Sequence, residues 1–101
     1  MYLLQGKLTA KSGLKRQLAE ILIEASHLVA TASGCKLYLI SDDENKETED
    51  VFVTEIWNSK EDHDNSLKIK GVKELIALAI PILEEMPQKS QELRILGGYG
   101  I

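Results

Sequence analysis

The sequence predicts an α+β fold, a ferredoxin-like split βαβ sandwich with an antiparallel sheet. Three observations predict it. The hydrophobic period alternates between two and a helical repeat, giving the order strand, helix, two strands, helices, strand. The 101 residues suit a single domain over 1–101, with no repeats, linkers or low-complexity tracts. Both faces of the predicted sheet are apolar, although helices of such a fold cover only one. A second copy of the chain is the expected cover for the other face, giving a homodimer.

Each element follows from its residues. Residues 2–10 alternate, with Tyr2, Leu4, Gly6, Leu8 and Ala10 on one face and Leu3, Gln5, Lys7 and Thr9 on the other. Ser12 is placed to cap the helix that follows. In that helix Leu14, Leu18, Ile21, Leu22, Ala25, Leu28 and Val29 recur at helical spacing, and Ser33-Gly34 ends it. Residues 35–41 and 50–58 read as two strands of an antiparallel hairpin. Strict alternation sets Cys35, Leu37 and Leu39 against Lys36, Tyr38 and Ile40. Ser59 with Asp62 forms a variant capping box for a short helix to about Leu67. Gly71 is expected to break it from the next helix, whose stripe is Val72, Leu75, Ile76, Ala79, Ile80 and Leu83. Pro81 should kink or shorten that helix. Residues 91–101 read as a last strand, softened by Gly97, Gly98 and Gly100.

Composition excludes several classes. Hydrophobic residues make up 44% of the chain, enough for a core. The net charge of -4 is uneven, because six of the 16 acids lie in the Ser41–Asp50 hairpin tip. The rest is near neutral and carries no basic stripe, so no nucleic acid is expected as partner. No apolar run approaches the roughly 20 residues needed to span a bilayer, so no membrane partner is expected. Met1-Tyr2-Leu3-Leu4-Gln5-Gly6-Lys7 lacks a signal-peptide pattern. Cys35 is the only cysteine, which excludes an intrachain disulfide and fits a cytoplasmic setting.

Candidate chemistry concentrates between Glu55 and His63. This segment holds the only tryptophan and one of two histidines, where a strand gives way to a helix. His63 shares a helix face with Leu67 that turns toward the sheet. It can hold or deprotonate a substrate, or be a half-buried histidine bonded to a backbone carbonyl. Trp57 reads as a pocket wall or as plain core. Tyr38 and Tyr99 could each bind a ligand through the hydroxyl or sit at a strand rim. Arg94 is expected to pair with Glu55, the alternative being an anionic substrate. His27 falls on the polar side of its helix and reads as inert. No metal site is expected: the hairpin lacks the Gly and Glu of a calcium loop at Thr48 and Thr54, and the histidines lie far apart. Gly97-Gly98-Tyr99-Gly100 is no nucleotide fingerprint, since no strand-to-helix turn accompanies it.

Gly34-Cys35-Lys36-Leu37-Tyr38, followed after the hairpin by Glu55-Ile56-Trp57-Asn58-Ser59-Lys60-Glu61-Asp62-His63, resembles the antibiotic biosynthesis monooxygenase family. The Gly-Cys-x-x-Tyr start of the second strand and the Glu-x-Trp end of the third carry the resemblance, which spans nearly the whole chain. It implies a dimeric α+β barrel. It also implies oxidation of a small aromatic phenol, quinol or anthrone by molecular oxygen, with no flavin, metal or haem cofactor. In that scheme Trp57 is the stacking wall, His63 lies nearest the ionising oxygen, and Tyr38 and Asn65 are secondary polar contacts. Many members place a histidine just before the leucine that ends the short helix. This chain has Ser66-Leu67 there, and its histidine comes three residues earlier. The haem-degrading branch needs an Asn, Trp and His triad, whereas the matching positions here are Gly6, Ser66 and Ile76.

Two other functions fit the same residues. One is a non-catalytic, dimeric small-molecule binder. The other is an isomerase acting on a small keto or phosphorylated substrate. Fold alone does not separate them from the monooxygenase.

Overall fold

The computed structural model describes residues 1–87 and 90–101. Its elements are β1 (Tyr2–Thr9), α1 (Lys15–Val29), β2 (Cys35–Ser41), β3 (Asp50–Trp57), α2 (Lys60–Ser66), α3 (Lys70–Ala79) and β4 (Gln91–Arg94), with a 3₁₀ turn at Ile80–Ile82. The strands form one sheet in the order β2-β3-β1-β4, and each neighbouring pair is antiparallel. β1 and β2 therefore run parallel with β3 between them, the split βαβ arrangement. No helix among the described residues is long and apolar enough to cross a membrane.

The register fixes two different faces. On the helix side, Cys35, Trp57, Tyr2 and Arg94 form one row across the four strands, and Tyr38, Glu55, Leu4 and Glu92 form the next. On the open side, Leu37, Ile56, Leu3 and Leu93 form an apolar row. Leu39 and Phe52 extend it, with 54% and 36% of their surfaces exposed. The helix side holds two clusters of buried side chains. Leu18, Val51, Ala10, Ala79 and Leu83 make one, and Val29, Trp57 and Val72 make the other.

Several local expectations change. The pairing of β2 shifts between Cys35 and Leu37, so Lys36 is the extra residue of a bulge. Cys35 therefore faces the helices with Tyr38 and Ile40, and Leu37 and Leu39 face away. Strict alternation had set Cys35 with the leucines. Ser12 caps nothing: α1 follows Leu14, which makes no side-chain cap bond. Gly13 turns the chain at φ 80 and donates its N–H to Glu49 Oε1 at 2.8 Å. The helix stops at Val29, and a turn through Ala32 separates it from Gly34. Gly71 lies inside α3, and the break precedes it, where Lys68 and Ile69 bond back to Asn65 and Ser66. β4 ends at Arg94, so residues 95–101 do not extend it.

Ser59 caps α2 as expected, accepting the Asp62 N–H at 3.1 Å. Pro81 coincides with the end of α3, which stops at Ala79. Gly34 anchors this corner. Its φ of 83 is the left-handed region, and its carbonyl accepts the Asn58 N–H at 2.8 Å. A Cβ at this position would collide with the Asp62 carboxyl, so the bare glycine lets α2 approach the sheet. Gly34→Ala should therefore cost about 1–3 kcal/mol of stability, read as a lowered denaturation midpoint in urea. An unchanged midpoint would contradict this account.

Candidate functional site

Between sheet and helices lies a cavity of about 440 Å³. Its volume falls in the range of small-molecule pockets, about 300–1,000 Å³. Small residues at facing positions keep it open: Gly6 of β1, Ala25 of α1 and Ala79 of α3. Most of the lining is aliphatic, from Leu4, Leu22, Val29, Val53, Val72 and Leu75. Polar residues in the lining include Tyr38, Glu55, His63, Ser66 and Ser90. Tyr38 and Glu55 are register partners.

Glu55 organises this polar group. Only 7% of its surface is exposed, and its Oε1 accepts the Trp57 indole N–H at 3.0 Å. The His63 Nε2 stands 3.7 Å from the same oxygen. Nδ1 of His63 is 3.0 Å from Asp64 Oδ1. A carboxylate accepts, so the Nδ1–H donates to Asp64 and Nε2 is the ring nitrogen that faces Glu55. Tyr2 and Trp57 flank the imidazole, with ring centroids 5.9 and 5.8 Å away, Trp57 edge-on at 78°.

Burial pushes the Glu55 carboxyl above its ordinary value, and the Trp57 hydrogen bond and His63 pull it part of the way back. Burial also raises the Tyr38 hydroxyl, reinforced by Glu55 and Cys35. Tyr2 is pushed up to about 12, first by burial and then by its hydrogen bond to Glu92. The Cys35 thiol is raised by burial and by Glu55.

The proposed site residues separate in space. Tyr38 and His63 line the cavity. Trp57 does not: its ring is wholly buried beside Val29 and Val72, so it supports the site from behind rather than walling it. Asn65 is exposed, and the next residue, Ser66, lines the cavity and donates its hydroxyl to the His63 carbonyl at 2.6 Å. Arg94 is exposed on the edge strand opposite Tyr2, so β1 stands between it and Glu55 and the expected ion pair is absent. Tyr99 is fully exposed, and His27 on α1 is exposed. Glu55 is the site residue that sequence reasoning missed. The available signal was a lone acid among Val51, Val53 and Trp57 on one strand face.

The raised carboxyl has a consequence for stability. A folded-state value above the unfolded one favours folding while Glu55 is protonated. That contribution is complete below the ordinary value of 4.5 and is lost as pH rises through the folded value. In thermal melts across pH, the wild-type Tm should fall relative to Glu55→Gln over this interval. Parallel curves would contradict the raised value.

The fold has counterparts among known proteins. The model of the antibiotic biosynthesis monooxygenase family matches residues 1–78. A Chloroflexus aurantiacus protein of known structure, provisionally named an antibiotic biosynthesis monooxygenase, is 31% identical. The match covers 99% of this chain and 97% of that one, with a TM-score of 0.85. A provisionally named member from Nitrosomonas europaea shares the fold at a TM-score of 0.87 and 12% identity, over 98% of this chain and 93% of its own. One from Deinococcus radiodurans does so at 0.74 and 22%, over 100% and 96%. No curated protein matches the sequence. Among the described residues no group of three His, Cys, Asp or Glu side chains is placed to hold a metal ion. The family model and the Chloroflexus relative agree over the segments that carry Tyr38, Glu55 and His63, and the chain belongs to the antibiotic biosynthesis monooxygenase family.

Proposed function

We propose that the protein is a cofactor-independent monooxygenase that oxidises a small phenol, quinol or anthrone with molecular oxygen. The observation that carries this reading is the aliphatic cavity with Tyr38, Glu55, His63 and Ser66 in its lining. An aromatic skeleton fills the aliphatic part, and its hydroxyl meets the polar group. Loss of the phenolic proton gives an electron-rich anion in a site poor in water. Such an anion is poorly solvated, which favours electron release to oxygen held beside it. For an anthrone, one oxygen atom becomes the new carbonyl and the other leaves as water, with all electrons drawn from the substrate. His63 lies nearest the ionising oxygen, and Tyr38 orients it by hydrogen bonding.

An oxygen electrode tests this with a panel of reduced naphthoquinols and anthrones. Uptake should exceed autoxidation, and His63→Ala should lower kcat/KM about 100-fold. Uptake equal to autoxidation across the panel leaves a binding protein without turnover.

The working unit in this proposal is a homodimer. Its support is the apolar row Leu37, Ile56, Leu3 and Leu93, extended by Leu39 and Phe52 on the face that no helix covers. Exposed apolar surface of this kind is characteristic of interfaces. Light scattering after gel filtration should give twice the chain mass, and Leu39→Lys with Phe52→Glu should halve it. A wild-type monomer at micromolar concentration would refute the dimer.

A further inference from the structure

We propose that Glu55 is the residue that takes the substrate proton, and that His63 and Asp64 return that proton to solvent. The chemistry rests on the monooxygenase reading for its substrate, but the assignment of the base rests on the cluster itself.

The two oxygens of Glu55 are differently placed. Oε1 is engaged by the Trp57 indole and faces Nε2 of His63. Among the described residues no hydrogen bond engages Oε2, and Glu55 lines the cavity. One carboxylate oxygen is thus held by the core while the other is left for a ligand. A phenolic O–H donates to Oε2; as the proton transfers, its bonding pair remains on the phenolate oxygen. His63 has Nδ1 held by Asp64 at 3.0 Å and directs its other ring nitrogen, Nε2, at Glu55.

Proton exit follows from the position of His63. Its side chain is 14% exposed, that of Asp64 is 55% exposed, and that of Glu55 is 10% exposed, so the imidazole lies between a buried acid and a solvated one. Nε2 of His63 stands 3.7 Å from the Glu55 carboxyl, within reach of a proton passed between them after a small rotation. Once Glu55 holds the substrate proton, it hands that proton to Nε2 of His63 as the Nδ1 proton passes to Asp64 and water, so Glu55 is again a carboxylate and the imidazole keeps one proton. His63 is a positioning residue in this scheme. The other ionisable groups around Glu55 are Tyr38 and Cys35 from β2 and Tyr2 from β1, all weak acids that stay neutral beside it. Lys7 of β1 points to the opposite face of the sheet, and α1 and α3 line the cavity with aliphatic side chains alone. The raised carboxyl makes Glu55 a stronger base than an ordinary carboxylate.

Two measurements test this. The first uses 4-nitrophenol, a redox-inert phenol whose yellow anion is read directly. Wild-type protein should bind the neutral phenol and lose it as the ligand ionises, because two anions then face each other. Glu55→Gln should bind the anion about tenfold more tightly than wild type at alkaline pH. The second is turnover. Wild-type kcat/KM should rise with pH through an inflection above the ordinary carboxylate range, and Glu55→Gln should lose that inflection with roughly 100-fold of the rate. Asp64→Asn should slow turnover in dilute buffer and recover in concentrated imidazole. Glu55→Asp, which keeps a carboxylate, should keep the inflection and lose kcat more than it gains KM. Far-ultraviolet circular dichroism reports that each variant is folded. Equal binding of the anion by wild type and Glu55→Gln, or an inflection that survives in Glu55→Gln, would overturn the assignment. Wild-type protein that discriminates the phenol from its anion through Glu55 but oxidises no substrate would instead remove the monooxygenase reading and leave the base in place.

Discussion

The hydrogen bond from the Trp57 indole to Glu55 ties the most buried ring of the protein to its most buried acid. Both residues lie on β3, two positions apart, and so point to the same side of the sheet. A carboxylate in an apolar interior is costly unless it is hydrogen-bonded or paired. Here an N–H donor and an imidazole share that cost, and charge-assisted bonds of this type are stronger than neutral ones. The arrangement leaves the acid strained toward its neutral form and close to a cavity. The indole in turn is locked by packing against Val29 and Val72, so the acid inherits the rigidity of the core.

The rest of the architecture serves this arrangement. The two buried clusters sit toward opposite ends of the helix-covered face, and small residues between them keep a space open rather than filled. α2 is short, and its position depends on a capped start at Ser59 and on a glycine at position 34 that admits Asp62. His63 reaches the cavity because that helix lies close to the end of β3. The side chains opposite, on the outer face of the sheet, play no part in the cavity and are free to be apolar for another purpose.

Much of the fold was legible from periodicity, because strands and helices here have clean patterns. The hairpin bounds of β2 and β3, the Ser59 cap and the end of α3 near Pro81 all follow from residue type. The bulge at Lys36 was not legible, since it leaves no mark in an apolar run such as Cys35 to Ile40. Ser12 misled for a related reason: Gly13, tied to Glu49 from a distant loop, sets where α1 begins. The site was read in part. Tyr38 and His63 could be placed, but Glu55 was seen only as a mate for Arg94. Face alternation put the two on suitable strands, whereas only strand order reveals that β1 lies between them. Asn65 and Ser66 differ by one helical step of about 100°, enough to exchange a solvent-facing residue for a cavity-facing one.

The bulge at Lys36 also bears on how this protein can diversify. Downstream of it, every second residue of β2 belongs to the helix side and the others to the outer face. An insertion or deletion of one residue in that stretch would exchange Tyr38 with a leucine and alter both faces together. Point substitution at Tyr38 or Ile40 leaves the outer face untouched. The helix-side surface of this strand can therefore be altered by replacement without disturbing the outer face, whereas a change of length alters both.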